Sequence, residues 1–159
     1  MRDAQYKFKV GRKRGVPFVL KKVKVGDLLP QVGKDIDQER IWRWANLSGD
    51  YNRLHIDPEY ARQTPFKGTI AHGPMSLAFL NELMMKSFGL GWARGGQLLE
   101  VRFVAPIRPG DHIRIEGLVK EIEIKDGQKR VVCEMAIKNQ HGEKTVVGQG
   151  IAFLPMEEE

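Results

Sequence analysis

The sequence predicts an α+β domain in which one long central helix is surrounded by an antiparallel sheet. Residues 74–88 are apolar on nearly every face of a helix, and such a helix must be covered by other elements on all sides. After residue 96 the chain consists of four β-rich runs that are separated by turn residues. One buried helix followed by an antiparallel meander is a layout in which the sheet can curve around the helix.

The elements before the central helix are shorter. A strand is predicted over residues 25–29, and a helix is predicted from Asp37, its expected N-cap, to residue 48. The two tryptophans of this helix, Trp42 and Trp44, are expected in the core. Asp57 is followed by proline, a pair that is typical of the start of another short helix.

The central helix has Pro74 in its first turn and is expected to end at the sequence Gly89-Leu-Gly91. On the face of this helix that is expected to be exposed to solvent, Glu82 and Lys86 have the i, i+4 spacing of an ion pair. The β-rich runs that follow extend over 97–105, 111–125, 128–139 and 144–154. Asp126-Gly127, between the second run and the third, predicts a tight hairpin.

Positive charge is concentrated at the N-terminus. Residues 1–25 contain nine Lys or Arg and one Asp, a balance of +8, whereas the whole chain carries +6, so residues 26–159 carry −2. Residues 1–24 are interpreted as a basic N-terminal extension, either a hairpin or an arm. It either attracts polyanions, such as an acidic carrier protein or the phosphates of coenzyme A, or is simply solvated. No helix-turn-helix or zinc-ligand spacing accompanies it, so no nucleic-acid partner is expected.

A chain of 159 residues is long enough for one domain, expected over 25–155, with a frayed tail at 156–159. The single cysteine, Cys133, precludes an intramolecular disulfide and is expected in the core, because it lies in an apolar strand-like run. Neither a signal peptide nor an apolar run long enough to span a bilayer is evident. A soluble cytoplasmic protein with no membrane partner is therefore expected.

One short segment carries the residues that are best suited to chemistry. Asp50 and His55 lie five residues apart among turn formers, so they are expected in an irregular loop that brings both side chains to one point. Gly73, at the start of the central helix, can direct its backbone N–H at a developing negative charge. The hypothesis is an acid/base pair beside an oxyanion donor. The alternative is that Asp50 only closes an Asx-turn and that His55 is a packed histidine.

The same residues resemble a known family. The sequence SGDYNRLHIDPEYA at 48–61 and the sequence FKGTIAHG at 66–73 resemble the signature of the MaoC-like, (R)-specific enoyl-CoA hydratase family. The sequence RFVAPIRPGD at 102–111 is similar to its strand-to-turn boundary, and the resemblance covers roughly residues 25–154. It implies a hot-dog fold, which is a long helix wrapped by a curved antiparallel sheet, usually in a homodimer or higher oligomer. The chain departs from the family at Arg53, where proline is usual.

The resemblance also implies a reaction, the reversible hydration of a trans-2-enoyl-CoA to a (3R)-hydroxyacyl-CoA without a cofactor or a metal. An acyl-carrier-protein thioester is the alternative form of the substrate. In this interpretation Asp50 and His55 hold and activate the water, and the N–H of Gly73 polarises the thioester carbonyl. Nearby residues that are expected to contact substrate or to shape the site are Asn52, Arg53, His72 and Ser76.

Each of these four neighbours has a purely structural alternative. Asn52 is expected to fix the loop through its side chain, and Ser76 either touches the thioester or bonds the carbonyl four residues back. His72 either orients the Gly73 peptide or is simply packed. Arg53 either grips a carboxylate or phosphate of the substrate or faces solvent.

Three rival functions remain open at this point. A hot-dog thioesterase needs a carboxylate near the central helix, for which Glu82 is the candidate. A non-catalytic acyl-CoA-binding module predicts binding without turnover. A zinc site formed by Asp50, His55 and His72 is disfavoured, because no i, i+4 histidine pair or cysteine pair supports it.

Overall fold

The computed structural model describes residue 20 and residues 22–156. Within them five strands form one sheet in the order β1-β3-β4-β5-β2, and every neighbouring pair is antiparallel. The strands are β1 (Val32–Asp35), β2 (Gln97–Phe103), β3 (His112–Lys125), β4 (Gln128–Lys138) and β5 (Lys144–Pro155). The four predicted β-rich runs are thus confirmed to within two residues. The predicted N-terminal hairpin or arm lies almost wholly outside the described residues, as does most of the predicted tail.

Five helices accompany the sheet in the described part of the chain, namely α1 (Gln38–Ser48), α2 (Arg53–Ile56), α3 (Pro58–Arg62), α4 (Gly73–Phe88) and α5 (Leu90–Ala93). The predicted cap of α1 is confirmed, because Asp37 accepts a hydrogen bond of 2.6 Å from the N–H of Arg40. Asp57 caps α3 in the same way, at 3.0 Å from the N–H of Tyr60. No helix among residues 22–156 has both the length and the hydropathy that crossing a bilayer would require.

The long helix α4 packs against β3, β4 and β5. Its buried apolar side chains occupy several faces and are Met75, Phe79, Leu80, Leu83, Met84 and Phe88. The sheet approaches the helix so closely at Gly150 that a Cβ there would lie 2.8 Å from the sulfur of Met84. The predicted α+β hot-dog arrangement, a long helix enclosed by an antiparallel sheet, is confirmed.

Two local predictions about the sheet are also confirmed. Asp126 and Gly127 have φ angles of 51° and 73°, the left-handed values that a tight two-residue hairpin requires. Cys133 is fully buried in β4, and burial raises the pKa of its thiol to about 12. Cys133 therefore contributes to the packing of the hydrophobic core.

Two predictions about the elements are wrong. Residues 25–29 form only an isolated bridge from Leu28 to Leu118, and the strand begins later, at Val32, beyond a proline that cannot donate to a ladder. Trp42 is 46% exposed, because its indole lies at the surface and donates to the carbonyl of Ile56. The predicted end of the central helix is confirmed, since α4 ends at Phe88 with Gly89 as its C-cap, and the short helix α5 follows directly.

Candidate active site

Asp50 is positioned by the turn that ends α1. Gly49 adopts a φ of 75° as the helix C-cap, which turns the chain sharply toward Asp50. The Asp50 carboxylate accepts a hydrogen bond of 3.1 Å from the N–H of Asn52 through Oδ1. Asp50 therefore closes the Asx-turn that was the structural alternative for this residue, and it does so with one carboxylate oxygen.

His55 lies in α2, not in an irregular loop, and this corrects the predicted conformation. Asn52 caps α2, since its Oδ1 accepts a hydrogen bond of 3.0 Å from the N–H of Leu54. The tendency of Asn to bond nearby backbone groups thus starts a helix of four residues. The helix turns the half-buried His55 ring toward the chain segment that precedes α4.

The hydrogen bonds of His55 define which ring nitrogen is free. Nδ1 lies 2.8 Å from the carbonyl oxygen of Ile70. Because a carbonyl can only accept, Nδ1 carries the hydrogen and donates it, and Nε2 keeps its lone pair in the neutral ring. His55 is therefore oriented as a base through Nε2.

His72 is the residue against which His55 packs. The two ring centroids are 3.9 Å apart and the ring planes are inclined by 30°. His72 is completely buried, and its Nε2–H donates to the backbone carbonyl of Asp50 at 3.0 Å. Burial lowers the pKa of His72, which favours the neutral ring, and proximity to His55 acts in the same direction.

Three atoms that could bind a metal ion lie within 4.8 Å of one another. They are a carboxylate oxygen of Asp50 and one ring nitrogen each of His55 and His72. Two imidazoles and a carboxylate are a donor set that divalent metals accept. Each ring, however, already has one nitrogen hydrogen-bonded to a backbone carbonyl, His55 through Nδ1 to Ile70 and His72 through Nε2 to Asp50. The arrangement suits a hydrogen-bonded acid/base group better than a metal centre.

An apolar cavity of about 380 Å³ opens beside this cluster. Its lining comes from α2, the 66–71 segment, the start of α4, the end of β2 with the loop that follows it, and β5. The lining residues are His55, Phe66, Ile70, Ala71, Gly73, Ser76, Phe103, Val104, Ala105, Pro106, Ile107 and Val146. A largely apolar pocket with a few polar groups at one end is the usual form of a small-molecule site. A larger concavity of about 670 Å³ lies elsewhere, on sheet residues such as Glu116 and Glu134, and none of the predicted site residues lines it.

The start of α4 forms one end of the cavity. Gly73 is the first residue of the helix, and the N-cap His72 makes no side-chain hydrogen bond to the first turn. First-turn N–H groups have no partner within a helix, so they are suited to binding negative charge. Ser76, one turn further, is buried and also lines the cavity. The Ser76 hydroxyl makes no hydrogen bond within the described part of the chain, so the alternative in which it bonds a helix carbonyl is not found.

Arg53 lies outside the cavity lining. Its guanidinium bonds the Asp57 carboxylate at 2.8 Å and lies over the ring of Tyr60, 4.5 Å from the centroid. The pKa of Asp57 is lowered by the hydrogen bond from the N–H of Tyr60 and by that from Arg53. These contacts favour the structural alternative for Arg53, in which it stabilises α2 and α3.

Glu82, the carboxylate of the thioesterase alternative, is held between two lysines. It lies 2.7 Å from Nζ of Lys34 and 2.6 Å from Nζ of Lys86, the second of which is the predicted i, i+4 pair. Partial burial alone would raise the pKa of Glu82, but the two ammonium groups lower it overall. A carboxylate in this state is a weak base, which disfavours the thioesterase alternative.

Two contacts of His55 have no signal in the sequence. The carbonyl of Ile70 receives Nδ1–H, and the side chain of Gln38 donates to the carbonyl of His55 at 2.8 Å. The partners are 15 and 17 residues away from His55, and neither residue type is characteristic of a catalytic site. Only the folded chain reveals these contacts.

Comparison with known proteins gives consistent similarities. A family model described as the MaoC-like domain matches residues 22–141. A 3-hydroxyacyl-thioester dehydratase Z from Mycobacterium tuberculosis is 37% identical over 91 residues, which cover 55% of this chain and 60% of that protein. An (R)-specific enoyl-CoA hydratase from Rhodospirillum rubrum is 31% identical over 129 residues, which cover 78% of this chain and 83% of that protein.

The solved structure of an R-hydratase from Pseudomonas aeruginosa, in its unliganded form, is similar with a TM-score of 0.70 and 30% sequence identity. The similarity covers 85% of this chain and 84% of that chain. The architecture built from the strands and helices above is therefore shared with a protein of known structure.

Proposed function

This chain belongs to the MaoC-like domain family, and from that premise we propose that it is a hydro-lyase that reversibly hydrates 2-enoyl thioesters to 3-hydroxyacyl thioesters. Two of the relatives compared above are named as a 3-hydroxyacyl-thioester dehydratase and an (R)-specific enoyl-CoA hydratase. These names describe the two directions of one reaction. They support an enoyl thioester as the substrate of this chain.

The observation that carries the proposal is that His55 lines an apolar cavity, while a carboxylate oxygen of Asp50, which is not part of the lining, lies within 4.8 Å of a His55 ring nitrogen. An enoyl group is apolar and fits such a cavity, whereas the reacting water needs polar partners. The second oxygen of Asp50 and Nε2 of His55 supply these partners, because Oδ1 of Asp50 and Nδ1 of His55 are already engaged. One water held between the two groups would face the C2=C3 bond.

In the proposed reaction the water oxygen bonds to C3 while its proton passes to Nε2 of His55. The electron pair of the C2=C3 bond moves toward the thioester and forms an enolate-like carbanion. C2 then takes a proton back from the Asp50–His55 pair, which restores both groups. Because the same pair serves C3 and C2, both additions are proposed to occur on one face of the double bond. The (3R) configuration of the product is proposed from the resemblance to the (R)-specific enoyl-CoA hydratases, one of which is among the relatives above.

The backbone N–H of Gly73 is proposed to polarise the thioester carbonyl. It lies in the first turn of α4, where the helix dipole is positive, and its residue lines the cavity next to His55. Ser76 is placed to contact the thioester from the next turn. His72 is proposed to hold the His55 ring and the Asp50 carbonyl rather than to touch substrate, since it has no exposed surface.

The proposed substrate is a thioester of CoA or of acyl carrier protein, and the family resemblance predicts a homodimer in the cytoplasm. An apolar cavity of about 380 Å³ has room for a short acyl chain. Crotonyl-CoA, with four acyl carbons, is therefore the substrate of choice for the first test.

The test follows the ultraviolet absorbance of crotonyl-CoA in the presence of the protein, with chiral analysis of the product and a parallel assay for free thiol. A fall in absorbance without thiol release, and a (3R)-hydroxy thioester as product, is the expected result. Thiol release would instead indicate a thioesterase. Binding of crotonyl-CoA without any turnover would indicate a non-catalytic module and overturn the proposal.

A further inference from the structure

We propose that Gln38, a residue outside the cavity, is a positioning residue that fixes the orientation and the tautomer of His55. The proposal rests on the proposed function, because it concerns the base of that reaction. Gln38 is the first residue of α1, so it lies 17 residues from His55 in the chain. It acts through His55 and makes no contact with the substrate cavity.

The side-chain amide of Gln38 links two segments that meet at His55. Its Nε2–H donates to the backbone carbonyl of His55 at 2.8 Å. Its Oε1 accepts the hydroxyl hydrogen of Thr69 at 2.5 Å. The residue after Thr69 is Ile70, whose carbonyl receives Nδ1–H of His55. Gln38 thus holds both the residue that carries the imidazole and the segment that carries its acceptor.

Both ends of this link are well defined. A carbonyl accepts and a hydroxyl can donate, so the two partners fix which end of the Gln38 amide is nitrogen and which is oxygen. Thr69 is 7% exposed, so little water competes for its hydroxyl. Losing the amide would leave buried polar groups without partners, which favours movement of the two segments apart.

The separation of these segments determines the state of His55. Nδ1 keeps its hydrogen only while the Ile70 carbonyl is within hydrogen-bonding distance, and only then is Nε2 free to act as a base. A shift of about 1 Å between a catalytic group and its target can lower a rate by roughly 100-fold. Gln38 therefore contributes to kcat through geometry and leaves the substrate-binding surface unchanged.

The chain offers a matched control on the same helix. The indole N–H of Trp42 donates to the carbonyl of Ile56 at 3.1 Å, so α1 holds two successive carbonyls of α2. Trp42→Phe removes the second hydrogen bond, but it leaves the link between His55 and Thr69 intact. Gln38→Met removes both bonds of the link with little change in side-chain length.

The experiment measures kcat and KM for crotonyl-CoA hydration in wild type, Gln38→Met, Trp42→Phe, Thr69→Val and Thr69→Ser. For Gln38→Met a decrease in kcat of about 10- to 100-fold is expected, with KM within about threefold of wild type. Thr69→Val should also lower kcat, whereas Thr69→Ser, which keeps the hydroxyl, should retain most of the wild-type kcat. The kcat of Trp42→Phe should stay within about threefold of the wild-type value. Equal losses in Trp42→Phe and Gln38→Met, or an unchanged kcat in folded Gln38→Met, would overturn the proposal.

A second readout does not depend on turnover. The ¹⁵N shifts of the His55 ring distinguish the Nδ1–H form from the Nε2–H form, and wild type is expected to show the former. Gln38→Met should shift the population toward Nε2–H, and an unchanged tautomer would count against the proposal. If wild type hydrates no enoyl thioester, the proposed function fails, but the tautomer measurement still tests the role of Gln38.

Discussion

The ring of Phe103 lies against the Cα of Gly73, so that a Cβ at position 73 would stand 3.2 Å from Cζ of Phe103. The contact joins the exposed end of β2 to the first turn of α4, and both residues line the apolar cavity. Glycine at this position brings the aromatic wall of the cavity close to the proposed carbonyl-binding N–H. These two residues together bound the cavity at the place where the thioester is proposed to bind.

Gly73→Ala is therefore expected to push the Phe103 ring toward the cavity and to lower kcat/KM for crotonyl-CoA by about tenfold, the effect of modest overpacking. The fold should persist, because Gly73 does not have a positive φ. Adding Phe103→Leu to Gly73→Ala relieves the contact and should recover part of the loss. If the double variant is no better than Gly73→Ala, crowding by Phe103 is not the cause.

Asp50→Asn tests the charge of the proposed acid/base pair without removing the turn. The Asn side chain keeps an oxygen that can accept the N–H of Asn52, so the loop and the Tm should be retained. Activity should fall by about 100- to 10,000-fold, the usual contribution of an acid/base group, and His55→Ala should fall to a similar extent. Initial rates by ultraviolet absorbance, with circular dichroism as a folding control, decide the point. Either variant with more than half the wild-type rate would contradict the mechanism.

Local patterns carry most of the information about the fold. Alternation and turn residues predict β2 to β5 to within two residues, because strand period and hairpin chemistry depend on neighbours in the chain. The surface position of Trp42 could not be predicted in this way. Its indole N–H finds a polar partner, the carbonyl of Ile56, that exists only after α1 and α2 have packed together.

In the candidate site, too, local features were predictable from the sequence and tertiary contacts were not. Asp50, His55 and Gly73 have spacing and chemistry that make them candidates from the sequence, and the folded chain brings Asp50 and His55 together. The helical setting of His55 and its contact with the carbonyl of Ile70 were not predictable, because backbone acceptors carry no side-chain signature. The stacking of His72 on His55 likewise depends on tertiary distance alone.

Arg53 is expected to stabilise the protein slightly rather than to select a substrate. Its ion pair with Asp57 is solvent-exposed, and such pairs contribute little to stability. Arg53→Ala should cause a small decrease in Tm, and it should leave the ratio of kcat/KM for crotonyl-CoA and for a carboxylated enoyl-CoA unchanged. A selective loss with the carboxylated substrate would restore the carboxylate-binding hypothesis.

The burial of His72 predicts how stability depends on pH. Its pKa in the unfolded chain is near 6.5, and burial lowers the pKa in the folded protein. Between these two values the unfolded chain binds a proton that the folded protein does not. The free energy of unfolding contributed by neutral His72 is therefore fully present above about pH 6.5, and it is lost as the pH falls toward the pKa of the folded state.

His72→Gln provides the comparison, because a glutamine amide can donate to the Asp50 carbonyl in place of Nε2–H but does not titrate in this range. Urea unfolding at about pH 7.5 and about pH 5.5 should show a larger loss of stability in wild type than in the variant. The rest of the chain is common to both proteins, so the difference between the two losses reports on His72 and its contacts with His55 and Asp50. Equal losses would mean that His72 can be protonated in the folded protein, and its role as a neutral support for His55 would have to be abandoned.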